Sequence, residues 1–191
     1  QSSSLIIANC TISGNTTNSR GGGIYSYDSS PTITNVTISG NTAPESGGGI
    51  FMEESDPIIT GCTITSNEAG DNSGGIRIKN SSPHINYSII SDNFASVEGG
   101  SMKVTGSSPT IVNCTIVDNI SDACASALFQ FNEVVIISNS IIWGNSTSSI
   151  CVVQSENESF SVTYSDIEDD WEGEGNINPA PLFVDASNDD F

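Results

Sequence analysis

Positively charged side chains are scarce in this sequence. Its 191 residues include four Lys and Arg against 23 Asp and Glu, for a formal net charge of −19. Such a chain repels the phosphate backbones of nucleic acids and the anionic surfaces of membranes, so neither is expected as a partner. No apolar run approaches the roughly 18 residues that a spanning helix needs, and no membrane insertion is predicted.

Histidine and paired cysteines are also lacking. His84 is the single His, it follows Pro83 where a turn leads into a strand, and none of the five Cys forms a Cys-x-x-Cys pair. A zinc site or a nucleophile–His–acid arrangement needs more of these residues than the chain provides. The sequence therefore argues against zinc enzymes and Ser or Cys hydrolases.

What the chain does contain is a repeat of 26 residues. The period is visible in Pro31, Pro57, Pro83 and Pro109, and in six Asn at the same spacing: Asn15, Asn41, Asn67, Asn93, Asn119 and Asn145. A fixed period in this range, with strand-like content, predicts a solenoid. Each repeat holds three short runs that alternate with period two, and no helical pattern occurs. We therefore predict an all-β parallel β-helix with three short strands per coil.

Apolar residues in matching positions predict the core. One column is Ile24, Ile50, Ile76, Met102 and Leu128; a second is Ile33, Ile59, Ile85 and Ile111; a third is Ile12, Ile38, Ile64, Ile90, Ile116 and Ile142. Like residues stacked on like residues fill a dry interior in which each coil packs on its neighbours. The stacked Asn side chains are expected to hydrogen-bond one another.

The cysteines divide into two groups. Cys10, Cys62 and Cys114 share a column but lie two coils apart, roughly 9.5 Å, which exceeds the reach of a disulfide. We expect them to be small core residues. Cys124 and Cys151 lie at nearly matching places in neighbouring repeats. A disulfide between them is one interpretation, and it would fit an extracellular compartment.

Two alternating motifs give the chain a family resemblance. GGGI at 21–24 and 47–50 alternates with ISGN at 12–15 and 38–41. Over residues 4–155 this resembles the GG-A/G-I and F-x-x-N repeats of polymorphic outer membrane proteins and related bacterial surface β-helix proteins, with Ile in the Phe position. The resemblance implies the right-handed β-helix of the pectate-lyase-like superfamily and a secreted or cell-surface location. We assign residues 1–155 to the β-helix repeats.

Residues 156–191 depart from the period and are predicted to form an atypical last coil and a C-terminal cap. Their YSDI, WEGEGNI and PLFVD strings resemble the closing segment of secreted bacterial β-helix proteins, ahead of a sorting or anchor region. The chain opens within a repeat, so we expect it to be part of a longer exported protein. Trp171, Leu182 and Phe183 are expected to cover the end of the core, because an open solenoid end exposes apolar surface.

Candidate binding residues lie at outward positions of the run that follows the glycines. They are Tyr25, Tyr27, Phe51, Glu53, Arg77, Lys79, Lys103, Phe129 and Phe131. Aromatic faces stack on sugar rings, and Arg or Lys pairs with uronate carboxylates. We expect a non-catalytic extracellular module that binds a glycan or a cell-surface protein along an exposed strand face, or that serves as a stalk.

Two other interpretations of these positions stay open. A polysaccharide lyase or hydrolase would act on an acidic polysaccharide, with Arg77 or Lys103 as the base of a lyase. Arg-Ile-Lys at 77–79 resembles a polygalacturonase motif, but that family's paired Asp motifs and Gly-His-Gly are missing. Alternatively, the cations pair with Glu53 and Glu54 and prevent like charges from stacking.

Two further patterns suggest ligands. The acids of the C-terminal segment, Asp166, Glu168, Asp169 and Asp170, are oxygen donors of the kind that Ca²⁺ takes, although a solvated acidic loop is the alternative. An outward strip of Thr11, Thr37, Thr63 and Thr115 resembles the Thr ladders of ice-binding solenoids. Ile89, Val117, Ile141 and Trp143 interrupt that strip, and Thr is in any case common on strand faces.

Overall fold

The chain forms successive coils, and each sheet is built from equivalent strands of these coils. The computed structural model describes residues 5–131, 134–146, 148–153 and 160–184, and this part of the chain contains strands and turns without a helix. It therefore contains no helix that could span a membrane. Successive coils contribute to three long sheets and one narrow sheet, and every strand pairs in parallel with its counterpart one coil away.

The four sheets are named here in the order in which a coil visits them. The first sheet consists of Ile6–Ala8, Thr32–Thr34, Ile58–Thr60, His84–Asn86, Thr110–Val112, Val135–Ser138 and Phe160–Thr163. The second consists of Thr11–Ser13, Thr37–Ser39, Thr63–Thr65, Ile89–Ser91, Thr115–Val117, Ile141–Trp143 and Asp166–Ile167. The narrow sheet consists of Thr42–Ala43, Glu68–Ala69, Phe94–Ala95 and Ile120–Ser121. The third sheet consists of Ile24–Tyr27, Ile50–Glu53, Ile76–Lys79, Met102–Thr105, Leu128–Phe131 and Ile150–Val153.

These sheets confirm the predicted parallel β-solenoid and its three main strands per coil. The narrow sheet was not predicted, because strands of two residues are too short to show a period of two. Paired residues of neighbouring coils are 26 residues apart except near the C-terminal end, where Phe129 pairs with Cys151 and Val135 with Phe160. The expected start of the last coil falls within 154–159, outside the described residues. Strands 160–163 and 166–167 still extend the first two sheets.

The predicted apolar columns fill the interior. Their members in the middle coils are buried, among them Ile59, Ile64 and Ile76, each with no exposed surface. Cys62 and Cys114 are buried as expected, whereas Cys10 lies in the first described coil and is exposed. The core therefore runs the length of the solenoid and is less well covered at its N-terminal end, where Ile7 and Ile12 are only partly buried.

The asparagine column forms a continuous ladder beside this core. The Oδ1 atom of Asn93 accepts hydrogen bonds from the backbone N–H and the side-chain Nδ2 of Asn67, at 3.0 and 2.9 Å. The Nδ2 of Asn93 also donates to the carbonyl of Ile64 at 2.9 Å. Asn41 and Asn119 repeat these contacts one coil before and after. The predicted Asn ladder is confirmed, and its role is structural.

Adjacent glycines allow the chain to enter the third sheet. A positive φ occurs at the first glycine of the GGG runs, Gly21 and Gly47. The next glycine serves a different purpose: a Cβ on Gly48 would lie 2.4 Å from the carbonyl oxygen of Glu68. Backbones of neighbouring coils thus approach too closely at this point for any side chain.

The C-terminal end of the core is covered only in part as predicted. Trp171 packs against the core and meets the Phe160 ring edge-on, with centroids 5.1 Å apart. The Oδ1 atom of Asn176 accepts a hydrogen bond from the backbone N–H of Ser165 at 3.0 Å, just after the strand Phe160–Thr163. The expectation for Leu182 is wrong, since it is 98% exposed, while Phe183 is half-buried.

Candidate functional site

The predicted strip lies on the outer face of the third sheet. Parallel pairing sets Phe51, Arg77, Lys103 and Phe129 side by side, one per coil, with Tyr25 next to Phe51. The fold therefore brings these residues together in the predicted order. Phe131 ends its strand in the same sheet, but its side chain lies outside the described part of the structure.

The strip is less exposed than expected. Tyr25 and Tyr27 are 51% and 55% exposed, but Phe51 and Phe129 are only 2% and 7% exposed. The Tyr25 ring stacks on Phe51 with centroids 5.4 Å apart, and the Lys103 Nζ lies 5.0 Å from the centre of the Phe129 ring. The expectation of open aromatic faces is thus wrong for both Phe residues, because neighbouring outward side chains cover them.

Arg20 completes this surface, although the sequence pattern did not identify it. Its guanidinium carbon lies 5.3 Å from the centre of the Phe51 ring. Arg20 belongs to a column of turn residues, in which bridges join Arg20 to Ser46, Ser46 to Asn72, and so on to Cys124. These turn residues lie before the strand, so the period-two alternation of the strand does not extend to them. In the sequence, Arg20 is marked only by the 26-residue spacing that places it one coil before Ser46.

A groove lies between this turn column and the outer face of the strands. Its volume is about 220 Å³. The lining residues come from both sides of the groove and are Arg20, Glu45, Ser46, Phe51, Asp71, Asn72, Arg77 and Lys79. The groove is thus a recess lined by cations, acids and one buried aromatic ring. It differs from the flat exposed strip that the sequence suggested.

Three of the cations are ion-paired. Arg20 Nε lies 2.7 Å from Glu45, Lys79 pairs with Glu53, and Lys103 Nζ lies 2.6 Å from Glu98. The hydrogen bond from Arg20 holds the pKa of the Glu45 carboxyl below its ordinary value, and Glu45 in turn raises the pKa of Arg20. Pairing with Glu53 is therefore confirmed for Lys79. For Lys103 the partner is Glu98, a turn residue.

Arg77 is the exception. No carboxylate of the described residues lies within ion-pair distance of it. Its Nη1 donates to the carbonyl oxygens of Ile78 and Lys103, at 2.7 and 3.1 Å, and its Nη2 donates to Thr105 Oγ1 at 3.0 Å. A guanidinium has five N–H donors, so the Nε–H and one Nη2–H take no part in these bonds.

The surroundings of Arg77 lower its pKa to about 10. Burial is the largest cause, because it disfavours the charged form, and the nearby charge of Arg20 acts in the same direction. Asp71, Glu53 and Glu98 oppose the shift from a distance. Since about 10 is still well above neutral pH, Arg77 remains a cation there.

The predicted calcium ligands do not converge. In the segments that the structure describes, no three His, Cys, Asp or Glu residues are placed to hold a metal ion. Glu168 Oε2 accepts the backbone N–H of Gly144 at 2.8 Å, and Asp169 Oδ2 accepts that of Ser149 at 2.5 Å. Asp170 occupies a left-handed turn position, and Asp166 lies in a strand. Glu168 and Asp169 are thus engaged with backbone N–H groups, and the geometry does not bring the four acids together into a Ca²⁺ site.

The threonine strip lies on the second sheet. Thr37, Thr63 and Thr115 are half-buried, and Ile89 interrupts them in the same register. This arrangement leaves no unbroken ladder of hydroxyl groups. His84, on the first sheet, is exposed and does not line the groove.

Comparison with known proteins identifies a family. Residues 1–167 match a protein-family model described as a right handed beta helix region. No curated protein matches the chain. No solved structure matches it either.

Proposed function

Because the chain belongs to the right-handed β-helix family, we propose that it is a non-catalytic module of a secreted or cell-surface protein. In this proposal the groove on the third sheet binds a glycan that carries a carboxylate. The single observation that supports it best is Arg77, a half-buried cation at the groove that has no carboxylate partner among the described residues.

The distribution of charge favours this face of the molecule. All four Lys and Arg of the chain lie on or beside the groove: Arg20, Arg77, Lys79 and Lys103. The formal charge of the whole chain is −19, so most of the surface repels anionic ligands. At the groove the cations offset Glu45, Glu53, Asp71 and Glu98, and an anionic ligand meets less repulsion there.

The remaining donors of Arg77 suit a carboxylate. Its Nε–H and one Nη2–H are not used by the protein contacts described above. A carboxylate takes up adjacent guanidinium N–H groups in paired hydrogen bonds, which are roughly twice as strong as neutral ones. The Glu45 and Asp71 carboxylates also line the groove, and carboxylate oxygens can accept hydrogen bonds from the hydroxyl groups of a ligand. A uronic acid residue of a glycan presents both kinds of group.

Exposed aromatic rings extend the surface towards the N-terminal coil. Tyr25 and Tyr27 are each about half exposed, and Tyr25 rests on Phe51, which lines the groove. Aromatic faces of this kind pack against the apolar faces of sugar rings. A chain of several sugars along the coils would contact Arg77 and the tyrosines together.

A lyase is the second candidate, and the lowered pKa of Arg77 is the observation that favours it. An arginine with a pKa of about 10 is a better proton acceptor than an ordinary one. However, it stays protonated at neutral pH, and its Nη1 is held by two carbonyl oxygens. Incubation with polygalacturonate and Ca²⁺ distinguishes the candidates: a rise in the absorbance of unsaturated uronate would support the lyase, and a flat trace supports binding alone.

Calorimetric titration with oligogalacturonate tests the binding proposal. Cellohexaose, an oligosaccharide without charged groups, serves as a control ligand. We expect Arg77→Ala to weaken oligogalacturonate binding by about tenfold or more, since one charge-assisted pair is lost. Thr63→Ala, which changes an outward residue of the second sheet, should leave the affinity unchanged. Equal affinities of Arg77→Ala and the unsubstituted protein would show that the groove is not the binding site.

A further inference from the structure

Two cysteines lie at the C-terminal ends of the two residue columns that flank the groove. Cys151 pairs with Phe129 and so continues the outward column that contains Lys103. Cys124 pairs with Glu98 and so continues the turn column that contains Asn72. Both thiols are half-buried and free. The columns on either side of the groove therefore each end in a cysteine.

The repeat shows that side chains of these two columns meet. Lys103 Nζ donates to Oδ1 of Asn72 at 2.9 Å, a contact from the outward column to the turn column of the preceding coil. Cys151 and Cys124 are related in the same way. Cys151 lies in the outward column, and Cys124 lies in the turn column of the preceding coil. The two thiols are therefore neighbours, and beside burial the nearby Cys124 thiol accordingly raises the pKa of Cys151.

We propose that Cys124 and Cys151 form an intrachain disulfide between neighbouring coils when the protein meets a low-molecular-weight disulfide such as oxidised glutathione. The thiolate of one cysteine attacks a sulfur of the oxidant and releases one glutathione as a thiol. The second thiolate then attacks the protein sulfur of this mixed disulfide and releases the other glutathione. The two protein thiols are oxidised, and one glutathione disulfide is reduced to two thiols.

No other cysteine of the chain competes for this pairing. Cys62 and Cys114 are buried in the core, and they occupy one column at a distance of two coils. Cys10 lies on the first described coil, at the opposite end of the solenoid. Only Cys124 and Cys151 combine proximity with partial access to solvent. The cross-link would join the two coils at which the spacing between paired residues is no longer 26 residues, since Phe129 pairs with Cys151.

The reaction should depend on pH. Burial raises the pKa of the Cys151 thiol, and the nearby Cys124 thiol and the charge of Glu98 add to this effect. The thiolate is the attacking species, so oxidation should be slow at neutral pH and faster as the pH approaches the thiol pKa. Once formed, such a cross-link would persist in an oxidising extracellular environment.

The test uses the Cys10→Ser variant, in which the exposed thiol is removed, so that cross-links between molecules do not interfere. The protein is incubated with oxidised glutathione, alkylated, and analysed by intact mass and by a non-reducing peptide map. We expect a loss of two hydrogen atoms and a peptide that joins Cys124 to Cys151. The rate should rise with pH, and the oxidised protein should unfold at a higher urea concentration than the reduced one.

Two further results decide the proposal. Adding Cys124→Ser should abolish the joined peptide and leave a stable glutathione adduct on Cys151. The proposal is overturned if Cys10→Ser protein accumulates glutathione adducts on Cys124 and Cys151 without the joined peptide, or if neither cysteine reacts. Oligogalacturonate titration of the reduced protein is a separate measurement, so a failure of the glycan proposal does not affect this outcome.

Discussion

Asn119 Oδ1 accepts two hydrogen bonds from Asn93, one from its backbone N–H at 3.1 Å and one from its side-chain Nδ2 at 3.0 Å. A single side-chain oxygen thus satisfies two donors of the neighbouring coil. Both residues are fully buried. Buried polar groups are costly without partners, and the ladder meets this requirement with one residue type at one position per coil.

Removing a middle step of the ladder should be severe. Asn93→Ala would leave the two donors of Asn67 without their acceptor and remove the side-chain bonds to Ile64 and Asn119. We expect the free energy of unfolding to fall by about 3 kcal/mol or more. Urea denaturation followed by circular dichroism measures this. Asn15→Ala, at the exposed end of the ladder, should cost less than about 1 kcal/mol. Equal losses would contradict a structural role that depends on burial.

Phe51 should stabilise the fold even though it points away from the core. It is 2% exposed and lies against Tyr25 and Arg20. We expect Phe51→Ala to lower the free energy of unfolding by about 3 kcal/mol, in the range of buried aromatic truncations. Tyr25→Ala removes a half-exposed ring and should cost about 1 kcal/mol. The prediction fails if thermal denaturation ranks these two variants in the opposite order.

Asp166 should destabilise the protein at neutral pH. Its Oδ1 is buried without a partner in the described structure, and burial raises its pKa above the ordinary value. An acid with a raised pKa in the folded state contributes stability below its unfolded pKa and loses that contribution as the pH rises. Asp166→Asn should therefore be more stable than the unsubstituted protein at pH 7, and this advantage should vanish in acid.

Glu168→Gln is the matched control for Asp166→Asn, because it also removes one negative charge. Glu168 accepts the backbone N–H of Gly144 at 2.8 Å, so its neutralisation weakens a charge-assisted bond. We expect this variant to be destabilised at pH 7. If urea midpoints rise equally for both variants, relief of the overall negative charge explains the effect, and burial of Asp166 does not.

Trp171 should matter more than Leu182 at the C-terminal end. Trp171 packs against the core and the Phe160 ring, whereas Leu182 is 98% exposed. We expect Trp171→Ala to cost about 2 to 3 kcal/mol and Leu182→Ala to change the stability by less than about 0.5 kcal/mol. Urea denaturation of the two variants measures the difference. A comparable loss for Leu182→Ala would mean that the segment after Pro181 does cover the core.

The repeat made the scaffold predictable in detail. Stacked columns such as Ile59 and Ile85, or Asn67 and Asn93, follow from the 26-residue period, because parallel coils place equal positions side by side. The narrow sheet escaped prediction because its strands have two residues. Sequence pattern also does not distinguish a glycine with positive φ, such as Gly21, from one that allows close backbone approach, such as Gly48.

The groove was harder to predict than the coil. Sequence alternation identified Arg77 and Lys103 as outward residues, but it gave no information on what covers an outward side chain. Arg20 and Glu98 lie in turns, where residues do not alternate, and they form contacts with the strand residues that the period does not specify. The contact of Arg20 with the Phe51 ring, for example, helps to bury that ring. Whether an outward position is open thus depends on turn geometry.

The direction of the hydrogen bonds between coils has a mechanical consequence. Bonds such as that from Ile76 N–H to the carbonyl of Ser101, at 2.7 Å, join one coil to the next. A force that pulls the two ends apart along the solenoid would therefore act on coil interfaces in series, and the weakest would separate first. We expect stepwise extension in an optical trap, with each released coil adding roughly 90 Å of chain. A module built in this way would lengthen under load by whole coils while the remaining coils stay folded.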